Sequence, residues 1–242
     1  MNIEKHVFDD INFFPDKMKT LILGTFPVPL YSNIEKFEKL TVEEKNNAWY
    51  YSSRRSEFWK IIADCFDIDY KNADDFLFNK SKKKKLFEEN KIGIADVFSK
   101  CKRKNENSAR DTDLIILEYN NILKNLITDE NNYKDLKLII FTSRFTENNF
   151  FKIINDVEYN IEKSNEVNEY YNNGINEKGI SIDIINALKE RYLHTNASRK
   201  IKLSTITLKI SPIKGVSLYS TKKELYKYYL NNTKINHKHT KN

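Results

Sequence analysis

Four short apolar runs set apart by helix-like stretches constrain this chain more than any other feature. LILG at residues 21–24, IGIADVF at 92–98, LKLIIFT at 136–142 and IKLSTITLKI at 201–210 each give way to polar or small residues. Runs of that length read as strands buried on both faces. Between them, residues 57–66 carry Phe58, Ile61, Ile62 and Cys65 at helical spacing, and residues 113–127 repeat Leu114, Leu117, Ile122, Leu123 and Leu126. Residues 146–154 and 221–230 give two more helical patterns. Strands alternating with helices predict an α/β fold, a three-layer α/β/α sandwich around a central, mostly parallel four-stranded sheet. In such sheets ligands bind beyond the carboxyl ends of the strands. The residues just after each strand are therefore the ones to question.

The rest of the chain is less regular. Residues 31–48 form a polar insertion with a helix expected from Thr41, and residues 71–90 look helical. Within that helix Lys82–Lys85 reads as a solvated face. Residues 156–178 are rich in Asn and Glu and read as a surface excursion. No Pro/Gly/Ser-rich linker divides the sequence, so one domain is expected over residues 1–230, followed by a basic, frayed tail at 231–242.

Charge and cysteine usage narrow the class. A net charge of +7 makes nucleic acid the first polyanionic partner to consider, ahead of an anionic membrane surface. A lysine-rich solvated surface is the plainer reading of the same number. The two cysteines, Cys65 and Cys101, and the four histidines show no zinc or iron–sulfur spacing, so no metal or redox cofactor is expected. Two thiols make no disulfide framework, which favours a reducing cytoplasm. The first ten residues show no signal-peptide core, and no run approaches a membrane span. A monomer without membrane contact is the expectation. No GxGxxG or P-loop pattern supports a small phosphorylated ligand.

The strand ends carry the candidate chemistry. Gly24-Thr25-Phe26-Pro27 follows the first strand, and a Gly before a polar residue and Pro suits a tight turn. Backbone N–H groups around Thr25 and Phe26 are candidates to meet a ligand edge. Next comes Tyr50-Tyr51-Ser52-Ser53-Arg54-Arg55-Ser56, leading into Phe58-Trp59 at a helix start. Ser53 or Ser56 suits the N-cap, and Arg54 and Arg55 lie where a helix N-terminus already favours anions. Tyr51 is a candidate stacking surface for a base. Asp96 follows the second strand. Asp111 is a second carboxylate, or the N-cap of the helix expected over 113–127.

In combination these segments resemble the uracil-DNA glycosylase superfamily, with the mismatch-specific and hypoxanthine-type branches nearest. Those proteins carry a strand ending in Gly-x-x-Pro, then an aromatic residue, His-Pro-x-Asn, and Phe-Trp at a helix start. LILGTFP matches the first part and YYSSRRSEFWKII the second. IGIADVFSKCKRKNENSARDTDLI, LIIFTSRFTENNFFKI and LKISPIKGVSLYSTKKELYKYYL follow in family order, so the likeness runs from about residue 20 to 230. Four positions depart from the pattern, one of them Lys214, which stands where related branches often show a small or amide residue. Phe26 takes the slot of the first-motif Asp or Asn, and Ser53 and Ser56 take the slots of His and Asn.

The resemblance implies a DNA glycosylase that everts a nucleotide and hydrolyses its N-glycosidic bond. Its partner would be DNA with a deaminated, damaged, mismatched or modified base, and no cofactor is implied. Some bacterial members excise modified bases from phage DNA, which adds defence to repair as a role. Asp96, Ser56 and Asp111 are then the catalytic candidates, and Thr25, Phe26 and Tyr51 the base-binding ones. Arg54, Arg55, Ser211 and Lys214 are the candidates for DNA phosphate. A catalytically inactive modified-base binder on the same fold is the alternative.

Overall fold

The computed structural model describes residues 2–7, 11–53, 56–70, 76–128, 135–153, 204–207 and 219–235. Arg54, Arg55, Ser211, Lys214 and the excursion expected at 156–178 lie outside them. Eight strands form two sheets, and seven α-helices accompany them among the described residues.

The main sheet is built around β3 (Thr20–Gly24), whose five residues are all buried. β4 (Ile92–Asp96) pairs parallel on one side of β3 and β7 (Leu138–Phe141) parallel on the other. β8 (Ser204–Thr207) extends the sheet parallel to β7. A two-residue strand, β2 (Asn12–Phe13), closes the far edge antiparallel to β4. The order is β2-β4-β3-β7-β8, five strands rather than the expected four.

Period-two alternation sends successive side chains of each strand to opposite faces. Ile22, Ile92, Ile94, Leu138 and Ile140 face α3 (Phe58–Cys65) and α7 (Tyr219–Ile235). Leu21, Leu23, Ala95, Ile139 and Phe141 face α5 (Asn121–Thr128) and α6 (Arg144–Ile153). Helices thus cover both faces, which is why these strands are apolar throughout. On the α3 side Trp49 stacks on Trp59, with ring centroids 5.5 Å apart. Burying such side chains contributes roughly 1.5–3 kcal/mol each.

The second sheet was not anticipated. β4 ends at Asp96, and after Val97 the chain re-enters a ladder as β5 (Phe98–Arg103). The break is held from outside: Asn120 donates its side-chain amide to the Asp96 carbonyl at 2.9 Å and its backbone N–H to the Val97 carbonyl at 2.9 Å. β5 lies between β1 (Glu4–Lys5) and β6 (Leu114–Tyr119), antiparallel to both.

This sheet corrects the helix expected over 113–127. Its first half is strand β6, and only residues from Asn121 onward are helical. Leu114 and Leu117 fit a helical spacing, but Ile115 and Ile116 favour a pleated surface and β5 supplies the ladder. In α4 (Lys80–Glu89) the solvated lysine face also needs correction, because Lys83 is fully buried beside Phe87. The first residues of the expected tail are helical, since α7 runs to Ile235, and residues 236–242 lie outside the described residues. The helix expected from Thr41 is α2 (Val42–Asn46), preceded by a single turn, α1 (Ile34–Phe37). Thr41 and Glu44 close a reciprocal capping box at the start of α2. No helix among the described residues is long and apolar enough to cross a membrane.

Candidate functional site

Beyond the carboxyl ends of β3, β4 and β7 opens a cavity of about 990 Å³. Thr25, Phe26, Tyr51, Ser56, Asp96 and Asp111 all line it. These are the sequence candidates that fall among the described residues, and the fold brings all six together. The outer part of the wall comes from the insertion that carries α1 and α2, through residues such as Leu40 and Glu44.

Asp96 is the last residue of β4 and sits at the floor. It lies across from Gly24, the last residue of β3, with which it is in register. A Cβ at Gly24 would stand 2.1 Å from Asp96 Oδ1 and 2.4 Å from the Tyr51 hydroxyl. The glycine is therefore what lets a carboxylate and a phenol share this floor. Tyr51 donates to Thr142 Oγ1 at 3.1 Å, and its ring tilts against Phe58 with centroids 4.6 Å apart. Its φ of 52° is left-handed backbone, which strains a tyrosine by roughly 1–2 kcal/mol.

Asp111 reaches the same space from a single 3-10 turn ahead of β6. It caps no helix, because the element that follows is a strand. Its Oδ2 accepts from Thr25 Oγ1 at 3.1 Å and from Ser143 Oγ at 3.0 Å. Thr25 Oγ1 lies 2.7 Å from Thr146 Oγ1, and Ser143 Oγ accepts the Thr146 N–H at 3.1 Å. The first turn of α6 is thereby tied to the β3 turn and to Asp111. Ser56 has a more local role: its Oγ accepts the Phe58 N–H at 3.3 Å, and the N-cap of α3 is Glu57 rather than Ser53 or Ser56.

Three residues that sequence reasoning passed over, His6, Glu4 and Arg103, support the lining side chains without lining the cavity themselves. His6 Nε2 stands 3.4 Å from Asp96 Oδ2, and both side chains are almost entirely buried. Glu4, two residues earlier and in β1, accepts from Arg103 Nε at 2.8 Å and from Ser32 Oγ at 2.5 Å. Arg103 also donates to the carbonyls of Ser108 and Pro27. The Glu4–Arg103 pair thus anchors β1 and holds the Phe26-Pro27 turn. Phe26 packs edge-on against His6 at 5.4 Å and lies under the Arg103 guanidinium. A Glu and a His in i, i+2 alternation was the available signal.

Burial decides the charge states here. The Asp96 carboxyl is pushed up to about 8, by burial first and the Asp111 charge second. His6 is pushed down to about 4 by burial, against a hydrogen bond to the Phe98 backbone. Distance alone would describe an ion pair. The opposed shifts describe instead a protonated acid beside a neutral imidazole at pH 7. Asp111 is also raised by burial, opposed by its bonds from Ser143 and Thr25 and by Arg103. Tyr51 is held well above the ordinary phenol range by burial and by the Asp96 charge. The cavity therefore holds two carboxyl groups in different settings, one apolar and one hydrogen-bonded.

No protein-family model matches the chain, and no curated protein matches it. Among solved structures it is similar to the solution NMR structure of a Methanosarcina acetivorans protein provisionally named a uracil DNA glycosylase. The two are 16% identical, the match covers 95% of this chain and 99% of that one, and the TM-score is 0.50. At that identity the likeness is one of fold. The class is a mixed α/β protein with a cavity at the carboxyl ends of the parallel strands of its main sheet.

Proposed function

We propose that this chain is a DNA glycosylase that removes a base from DNA by hydrolysis, with the cavity beyond β3, β4 and β7 as its active site. The observation that carries the reading is the pair of carboxyl groups, Asp96 and Asp111, on one cavity wall with Tyr51 beside them. The shared fold with a protein provisionally named a uracil DNA glycosylase adds support. So does the order of the motifs along the chain.

The chemistry follows from the settings of the two acids. An everted nucleotide would place its base against Tyr51, with its edge toward the backbone of Thr25 and Phe26. The C1′–N bond breaks, its electron pair leaves with the base, and the sugar becomes cationic. Asp111 is the better anion, since two hydroxyls donate to it. It suits stabilising the cation and taking a proton from the water whose oxygen bonds C1′. Asp96, kept protonated by burial, suits donating a hydrogen bond or its proton toward the leaving base. His6 positions that carboxyl. Arg54, Arg55, Ser211 and Lys214 remain the candidates for gripping flanking phosphates.

The test is formation of alkali-labile sites on short oligonucleotides, single- and double-stranded, carrying uracil, hypoxanthine or hypermodified bases. Scission at the modified position by the full chain, lost in Asp111→Asn, is the expected result. Tight, salt-dependent binding without scission on any substrate would favour a non-cleaving base reader. Phe26 in the first-motif slot and Ser56, whose hydroxyl accepts from the Phe58 N–H, are the features on that side.

A further inference from the structure

We propose that Ser52 and Lys83 form a phosphate-binding element in the wall of the cavity, in which the Ser52 hydroxyl meets a phosphate oxygen and the Lys83 ammonium behind it supplies the charge. The proposal rests on the glycosylase reading only for the source of the phosphate, a DNA phosphodiester beside the everted nucleotide.

Lys83 lies in α4 and is fully buried. Its Nζ donates to Ser52 Oγ at 3.0 Å and stands 5.0 Å over the Trp59 ring. It has no carboxylate partner among the described residues. Glu57, which lines the same cavity at the start of α3, is engaged by Lys222 at 3.2 Å, and the charged groups Lys82, Lys84 and Lys85 lie on the helix of Lys83 itself. A buried ammonium with one hydroxyl and one ring for company is an incomplete site, since an ammonium carries three donors. Ser52 is where completion is possible, because it lines the cavity beside Tyr51, as do Ser53 and Ser56. A hydroxyl that accepts from an ammonium keeps its own proton to donate to an anion. Burial alone pulls the Lys83 amine down to about 7. An anion one hydrogen bond away would restore its charge near neutral pH.

The experiment is an NMR titration of the Lys83 side chain in the full-length protein. Its signal is identified by its loss in Lys83→Met, or in Lys83→Arg should the methionine variant not fold. The titration is repeated with inorganic phosphate and with a short duplex carrying a non-hydrolysable abasic analogue. A third ligand is the same duplex with uncharged methylphosphonates around that position. The amine should titrate at least about one pH unit higher with the charged duplex, and not with the neutral one. A shift with inorganic phosphate as well identifies the element as one that also takes free phosphate. In parallel, the native protein should bind the charged duplex more weakly above pH 7, and Lys83→Met should bind it about tenfold more weakly at pH 7 and lose that pH dependence. Exposed Lys85→Met serves as the control. An amine that titrates unchanged with every ligand overturns the proposal, and so does native affinity and pH dependence in Lys83→Met. Neither readout requires base release, so failure here is separable from failure of the glycosylase reading.

Discussion

Replacing Asp96 by asparagine is expected to stabilise the ligand-free protein, by an amount that grows with pH. In the unfolded chain this carboxyl releases its proton near its ordinary value, whereas the native one holds it until about pH 8. Across that span the native state binds one more proton, so stability falls by about 1.4 kcal/mol per pH unit. At pH 7 the accumulated loss is about 4 kcal/mol as an upper figure. Asparagine has no charge to lose and still offers hydrogen bonds to His6. His6 works with the opposite sign. Its native value of about 4 lies below the unfolded value of 6.5, so the unfolded chain binds the extra proton there and stability rises with pH across that window. The two slopes oppose each other from about pH 4 to 6.5. From 6.5 to 8 the Asp96 slope stands without the His6 one, and amounts to about 2 kcal/mol. Urea unfolding of the native protein and Asp96→Asn at pH 5, 6.5 and 8 reads this directly. The native protein should lose about 1–2 kcal/mol between the last two points, and the variant should stay nearly flat. A variant less stable than the native protein at pH 8, or one with the same slope, would refute the reasoning. It would mean that Asp96 is ionised in the fold and gains from an imidazolium partner.

Other outcomes follow from the same geometry. Gly24→Ala should lower stability by about 1–3 kcal/mol and abolish base release, because its methyl group displaces Asp96 and Tyr51 together; denaturation and product assays read the two effects. Arg103→Ala leaves Glu4 buried without its cation and should cost about 3–5 kcal/mol in urea unfolding, part of it recovered in the double variant with Glu4→Gln. Asp111→Asn should slow base release by about 10²–10⁴-fold while changing the unfolding midpoint little, since asparagine can still accept from Thr25 and Ser143.

The central strands were legible because burial on both faces demands continuous apolar residues, and LILG and LIIF supply them. The short edge strands were not, since two residues such as Asn12 and Phe13 carry no periodicity. Residues 114–119 were ambiguous by pattern, and only their partner strand decides between helix and ladder. Lys83 was hidden inside a run of like residues, although Phe87 one turn later marks the buried face. Thr25, Phe26 and Asp96 were traceable because they stand at strand ends or just after them, and Tyr51, Ser56 and Asp111 through the family order of their segments. His6 and Arg103 were not, because their roles depend on pairing between segments about a hundred residues apart.

The most direct measurement is mass analysis of both products after the full chain meets a modified oligonucleotide in ¹⁸O-labelled water. The account predicts the intact free base together with a strand whose new C1′ oxygen carries the label, and neither product from the double variant Asp96→Asn, Asp111→Asn. An unaltered strand with every substrate, or equal release by that double variant, would contradict it.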